Sequence, residues 1–259
     1  MQSSDARNAA ARTISSDGGN RCPQASSSAE VSIVRQSTRR LAGVIVVYLP
    51  DHFRVADVTQ MHALMRARPF ATLVSGCSTG VYASHLPTVL KDEGSYGVVE
   101  CHLARPNPHW KDLAEGNEAL MIFQGPEAYI TPNWYPSKAR HGKAVPTWNY
   151  AVVHAYGRPE AMMERDWLLR HVTELTAQQE RNEAKPWTPS DAPSAYIEAM
   201  LRGIVGFRFA ITRLEGKWKM SQNREIQDQT GVVEGLGQRA DGDDLELAKI
   251  VSRQIKPTG

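Results

Sequence analysis

Apolar residues first recur with a helical period at Val58, Met61, Leu64 and Met65. Asp57 stands before them as an N-cap, Gln60 follows three residues on, and Pro69 closes the segment, so a helix is expected here. The period then shortens. Strand-like runs at 70–75, 81–86, 88–90 and 96–103 are separated by a glycine-flanked turn at 76–80 and by Asp92-Glu93-Gly94. Short strands at this spacing predict an antiparallel meander or barrel. A short helix is expected over 107–115, then strands over 119–123 and 149–156. Farther on, Trp167, Leu168, Val172 and Leu175 return to the helical period behind Asp166, and that helix is expected to reach Arg181 before Lys185-Pro186-Trp187-Thr188-Pro189 breaks it. A second short helix over 194–201, a strand over 204–212 and an amphipathic helix over 243–254 complete the pattern. The reading is a mainly β, barrel-centred domain with appended helices.

The first 40 residues carry no such pattern. They are rich in Ser, Ala, Asn, Gly and Arg, too polar to offset their ordering entropy, so residues 1–46 are read as a disordered extension. The barrel domain is placed at 47–236 and a closing helix with tail at 237–259. Arg39-Arg40 before Leu41-Ala42-Gly43-Val44-Ile45-Val46-Val47 has the outline of a twin-arginine export signal. That apolar run is short and enters Tyr48-Leu49-Pro50 with no small-residue cleavage site, so export is set aside in favour of the cytoplasm. An alternative is that the native chain starts near Val47. Among 259 residues the net charge is only +2, which makes no whole-chain case for nucleic acid. Cys22, Cys77 and Cys101 lack CxxC spacing, which fits a reducing compartment. No apolar run approaches the roughly 18 residues of a membrane span.

Candidate chemistry concentrates in two stretches. Residues 123–150 interleave prolines, amides and aromatics (Gln124, Trp134, Trp148, Asn149) between apolar runs. This composition reads as a loop-rich aromatic wall for a flat, polar-rimmed ligand, or equally as a connection that closes the barrel. The second stretch is Cys101-His102-Leu103-Ala104-Arg105-Pro106-Asn107-Pro108-His109-Trp110-Lys111. Arg105, Asn107 and Lys111 with the following helix start would cradle a phosphate, or would form a solvated basic turn. His85, His102, His109, His141 and His154 show no HxH or HExxH spacing, so no metal site is expected. Gly76-Cys77-Ser78-Thr79-Gly80 has the letters of GxSxG but is read as a turn between two strands and not as a nucleophile elbow, GxGxxG and GxxxxGK[ST] are absent, and no catalytic residue is assigned. Lys138, Arg140 and Lys143, and Lys217, Lys219 and Arg224 around Trp218, pair cations with aromatics in a way that suits nucleic acid, an anionic cofactor or a subunit.

Several of these stretches, taken in order, resemble the PaiB-type FMN-binding negative transcriptional regulators. They include Tyr48-Leu49-Pro50-Asp51-His52-Phe53, Ser84-His85-Leu86-Pro87, the 102–110 segment, Ile122-Phe123-Gln124-Gly125-Pro126, Val145-Pro146-Thr147-Trp148-Asn149-Tyr150 and Ser221-Gln222-Asn223-Arg224. The resemblance spans about residues 48–236. It implies an FMN-binding split β-barrel and a homodimer with flavin at the subunit interface. It also implies roles: His85 and Leu86 against the flavin ring, Arg105, Asn107 and Lys111 on its phosphate with Trp110 beside them, and Gln124 facing the ring. Trp134, Trp148 and Asn149 would reach across from the partner. Two positions depart from the pattern: Ser84 stands where Asn is expected, and Pro106, which has no backbone donor, where Ala is expected. Repression, acting on DNA directly or through another protein, is the function this resemblance implies. A small FMN-dependent oxidoreductase using a nicotinamide donor is the alternative, since a flavin carries most of its own chemistry.

Overall fold

The computed structural model describes residues 47–77 and 80–255. The expected disorder and export signal before residue 47, and the middle of the 76–80 turn, lie outside the described residues. Eight strands form one antiparallel sheet: β1 (Arg54–Val55), β2 (Phe70–Cys77), β3 (Gly80–Pro87), β4 (Val89–Lys91), β5 (Val98–Ala104), β6 (Ala119–Ile130), β7 (Thr147–Met162) and β8 (Ile204–Lys219). Their order is β3-β2-β6-β7-β8-β5-β4, with β1 on the far end of β8. Seven helices attach: α1 (Val58–Ala67), α2 (His109–Ala114), α3 (Ser137–His141), α4 (Arg165–Glu180), α5 (Ser194–Arg202), α6 (Ile226–Arg239) and α7 (Asp244–Gln254). The mainly β architecture with appended helices is therefore present, and among the described residues no helix is long and apolar enough to cross a membrane.

Local chemistry accounts for the element ends. The Asp57 carboxylate accepts from the Thr59 N–H at 2.8 Å and starts α1. Asp228 of α6 accepts from the Ser137 N–H and hydroxyl at 3.0 and 2.6 Å, which caps α3 from outside its own helix. Arg68 donates to Asp243 and Glu246, tying the end of α1 to the start of α7.

One core joins the sheet's inner face to α1, α6 and α7. Leu73, Met121, Phe123, Val153, Phe207 and Phe209 meet Met65, Leu236 and Val251 there. Alternation along β6 and β7 sends their other residues outward.

The 123–150 stretch corrects the loop reading. β6 continues to Ile130 and β7 begins at Thr147, so only the segment between them is loop and short helix. A bulge between Gln124 and Glu127 lets Gly125 and Pro126 sit inside a strand. Gly125 is required there, because a Cβ would lie 2.6 Å from Leu64 Cδ1 and 2.9 Å from the Ala151 carbonyl. The polar-aromatic segment after Thr212 is likewise strand, since β8 runs on to Lys219. The helix α6 had no counterpart in the periodic pattern.

Candidate cofactor site

The outer face of the sheet gathers three of the predicted site residues. Register pairs His85 with Thr72, Thr72 with Ile122, Ile122 with His154 and His154 with Glu215, one row across β3, β2, β6, β7 and β8. Gln124 lies on the same face two positions along β6, opposite Val152, which in turn faces Lys217. Trp148 and Tyr150 extend the face along β7, Trp148 half exposed and edge-on to Tyr129. A cleft of about 500 Å³ opens here, floored by Ile122 and Val152 and walled by Gln124, Trp148, Tyr150 and His154. Phe70 stacks on the exposed His85 ring at 6.4 Å.

Lys217 is the cleft's cation. It is 8 % exposed, its Nζ donates to the Tyr48 carbonyl at 2.8 Å, and it sits 5.5 and 5.4 Å from the Tyr48 and Tyr150 ring centres. No carboxylate forms an ion pair with it among the described residues. A largely buried ammonium held by one carbonyl and two π-faces has unused capacity for an anion. Beside it, burial lowers the His154 imidazole pKa from its ordinary value. The Tyr156 phenol donates to Glu215 at 3.0 Å, and burial next to that carboxylate pushes its pKa up to about 12.

The other predicted residues have different placements. Leu86 points into the core. Arg105, Asn107, Trp110 and Lys111 do converge at the turn between β5 and α2, but most of their donors are spent within the chain. Arg105 donates to the Arg202 and Ile204 carbonyls at 2.8 and 3.0 Å, and Trp110 Nε1 donates to the Arg105 carbonyl. Asn107 donates to Ser84 Oγ and accepts from the His109 N–H. His109 itself is buried between Ser75 Oγ at 2.9 Å and Ser84 Oγ at 2.8 Å, and burial lowers its pKa. Ser84 is thus the hub that locks β3 to this turn; Arg105 and Lys111 are both exposed there, and Lys111 lies 6.0 Å from the centre of the Trp110 ring.

Trp134 packs under α6 of its own chain, with Arg239 over its ring at 4.9 Å. Asn149 is fully buried and exchanges hydrogen bonds with Ser221 at 3.0 and 3.2 Å. Of the basic clusters, Arg140 pairs with Glu225, Lys138 bonds Asn133, and Lys219 bonds Thr147 and the Trp148 carbonyl. Lys217, Tyr150 and His154 were each visible in the sequence but not as one group. The signal was the alternation Trp148-x-Tyr150-x-Val152-x-His154, three of whose residues lie in the strand expected over 149–156 but whose shared face was not read as a site.

The residues present fit a flavin mononucleotide. The cleft offers a flat aromatic and apolar floor, an amide at its edge that donates to the Glu127 carboxylate at 3.1 Å, and a cation that forms no ion pair among the described residues, which match a planar ring system with a polar rim and negative charge.

Over 210 residues the chain is 29% identical to the "Protease synthase and sporulation protein PAI 2" of Bacillus subtilis, covering 81% of this chain and 99% of that one. An uncharacterized protein of Emericella nidulans is 34% identical over 226 residues, covering 73% and 90%. Among solved structures, the flavocytochrome Anf3 of Azotobacter vinelandii aligns with a TM-score of 0.48 at 14% identity, covering 64% of this chain and 69% of that one. The model of the family described as "Putative FMN-binding domain" matches residues 47–213. The chain belongs to that family, as a PaiB-like FMN-binding protein.

Proposed function

We propose that the protein is a homodimeric, flavin-dependent negative regulator in which FMN lies over the outer sheet face and a second copy closes the cleft. The observation that carries this reading is Lys217, a largely buried ammonium with no carboxylate partner, set in a cleft whose walls are aromatic. In this arrangement Lys217 neutralises charge on the bound flavin, Gln124 presents its amide to the ring edge, and Ile122 and Val152 exclude water from one ring face. Lys111 is the remaining candidate for the phosphate, since Arg105 and Asn107 already have partners. Bound flavin supplies redox and light-absorbing chemistry, and the chain's own residues set its affinity. Half-exposed Trp148 and Tyr129 at the cleft's edge support burial against a second copy. The name of the Bacillus subtilis relative ties that protein to protease synthesis and sporulation, which supports a regulatory role here. Since most cations of the basic clusters are engaged within the chain, regulation through a partner protein fits better than direct DNA contact.

The test is flavin stoichiometry by absorbance and mass spectrometry on purified protein, followed by FMN titration of Lys217→Met. Losing one buried charge-assisted contact should weaken FMN by about tenfold or more. Unchanged affinity in the variant sinks the cleft assignment. Steady NADH or NADPH oxidation with an added acceptor would instead identify an oxidoreductase.

A further inference from the structure

A second cavity, of about 340 Å³, lies between α4 and α5 and shares no lining residue with the cleft on β6, β7 and β8. Val172, Met200, Leu201 and Ile204 form its apolar wall, with Trp187 and Tyr196 as its aromatic members. No charged side chain lines it. Trp187, Tyr196 and Met200 stay 44, 56 and 49 % exposed, so large apolar side chains face solvent around this space. The volume falls near the lower end of small-molecule pockets, about 300 Å³.

The fold fixes one polar ring in this wall. His102 lines the cavity, and its Nδ1 lies 3.0 Å from Nε2 of His171. His171 is fully buried, stacked on Trp167 at 5.2 Å, and its Nδ1 has no partner. Burial lowers both imidazole pKa values, that of His171 to about 3 with His102 adding to the effect, so both rings are neutral. Each neutral ring carries one N–H, and one proton lies between the two rings. Were His102 the donor, His171 would hold its remaining proton on Nδ1, a buried N–H with nothing to receive it. With His171 as donor, Nδ1 is instead a bare lone pair, and orphaned buried N–H groups are the rarer of the two. The hydrogen-bond network therefore assigns the proton of His102 to Nε2, the nitrogen not engaged by His171.

We propose that this cavity binds a neutral aromatic carbonyl compound of one or two rings, its ring between Trp187, Tyr196 and Met200 and its carbonyl oxygen accepting from His102 Nε2–H. A carboxylate would enter without a cation to meet it, and the neutral donors of His102, Thr176 and Tyr196 do not replace the hydration of a full charge. A hydrocarbon would leave the Nε2–H unanswered. The site asks for an acceptor without charge.

Titration of the full chain as purified with 2-acetonaphthone, followed by tryptophan fluorescence, tests this beside 2-naphthoate and 2-ethylnaphthalene. Saturable ketone binding is expected, with both comparison ligands about tenfold weaker or more, the loss of one hydrogen bond or of a matched charge. His102→Phe should bring the ketone down to the level of the hydrocarbon, and Met200→Trp, which fills the cavity, should abolish binding of all three. Flavin content should stay unchanged in both variants. Equal binding of ketone and hydrocarbon by the wild type overturns the carbonyl assignment. Ketone binding that survives Met200→Trp, or no saturable binding at all, overturns the site. Should His102→Phe melt early, the comparison of the three ligands on the wild type decides alone.

Discussion

Arg105 meets partners in the fold that its place in the sequence does not suggest. From the sequence it is a forked donor next to a helix start, suited to phosphate. In the fold its fork meets the carbonyls of Arg202 and Ile204, where α5 gives way to β8. Sequence spacing cannot show a partner almost 100 positions away. Arg105→Ala should accordingly cost about 1 kcal/mol in a urea melt while weakening FMN less than Lys217→Met does. The buried histidines make a second prediction at this scale. A histidine held neutral in the folded chain leaves the unfolded chain as the better proton binder, so stability is full above pH 6.5 and falls as pH drops towards about 3 for His171. Between pH 6.5 and 4.5 this group alone should remove roughly 2–3 kcal/mol. Chemical denaturation of His171→Phe across that range should give a visibly shallower decline, and parallel slopes would contradict the assignment.

At the scale of elements, periodicity found most of what is present. The N-capped α1, the run from β2 to β5, and α4, α5 and α7 all follow from apolar spacing and breakers. Two failures share one cause. The 124–130 and 215–219 segments were not read as strand because they are rich in aromatic, polar or charged residues and one contains Gly-Pro, yet each continues the strand that precedes it. The helix α6 escaped because Gly231, Gly235 and Gly237 lower its propensity. Two of those glycines are where the helix presses on the turn at Pro132–Trp134. A Cβ on Gly235 would come 2.2 Å from the Trp134 ring, and one on Gly231 would come 2.0 Å from its carbonyl. Gly235→Ala should therefore destabilise the protein by about 1–3 kcal/mol through overpacking. Gly237, with nothing within 4 Å, should gain about 0.5–1 kcal/mol on replacement by Ala. Thermal or urea melts of the pair give opposite signs if α6 is seated as described.

For the whole molecule, what was legible was the class and its cofactor; the geometry of the site was not. The motifs led to an FMN-binding chain, but the cleft is assembled from three strands, β6, β7 and β8, whose pairing only folding reveals. Under the proposed function, dimer formation is the property that would tie the site to the assembly. Trp148→Glu, on an exposed ring that no core contact requires, should shift the protein towards monomer in light scattering and weaken FMN in the same variant. Loss of one without the other would separate the cleft from the subunit contact.

The bulge in β6 also has an arithmetic consequence. From Gln124 to Glu127 the strand spends three residues where β7 spends two, from Val152 to Tyr150. That odd step resets the parity of the strand, so Gln124, Glu127 and Tyr129 all face outward while Ala128 and Ile130 face in. Removing one of the two bulge residues would leave two steps against two, so Glu127 would still stand opposite Tyr150 and face outward with Tyr129, and only the local bend would be lost. A one-residue deletion in the regular ladder between Glu127 and Ile130, by contrast, has no spare residue to absorb it and would turn the outward side chains beyond it into the core.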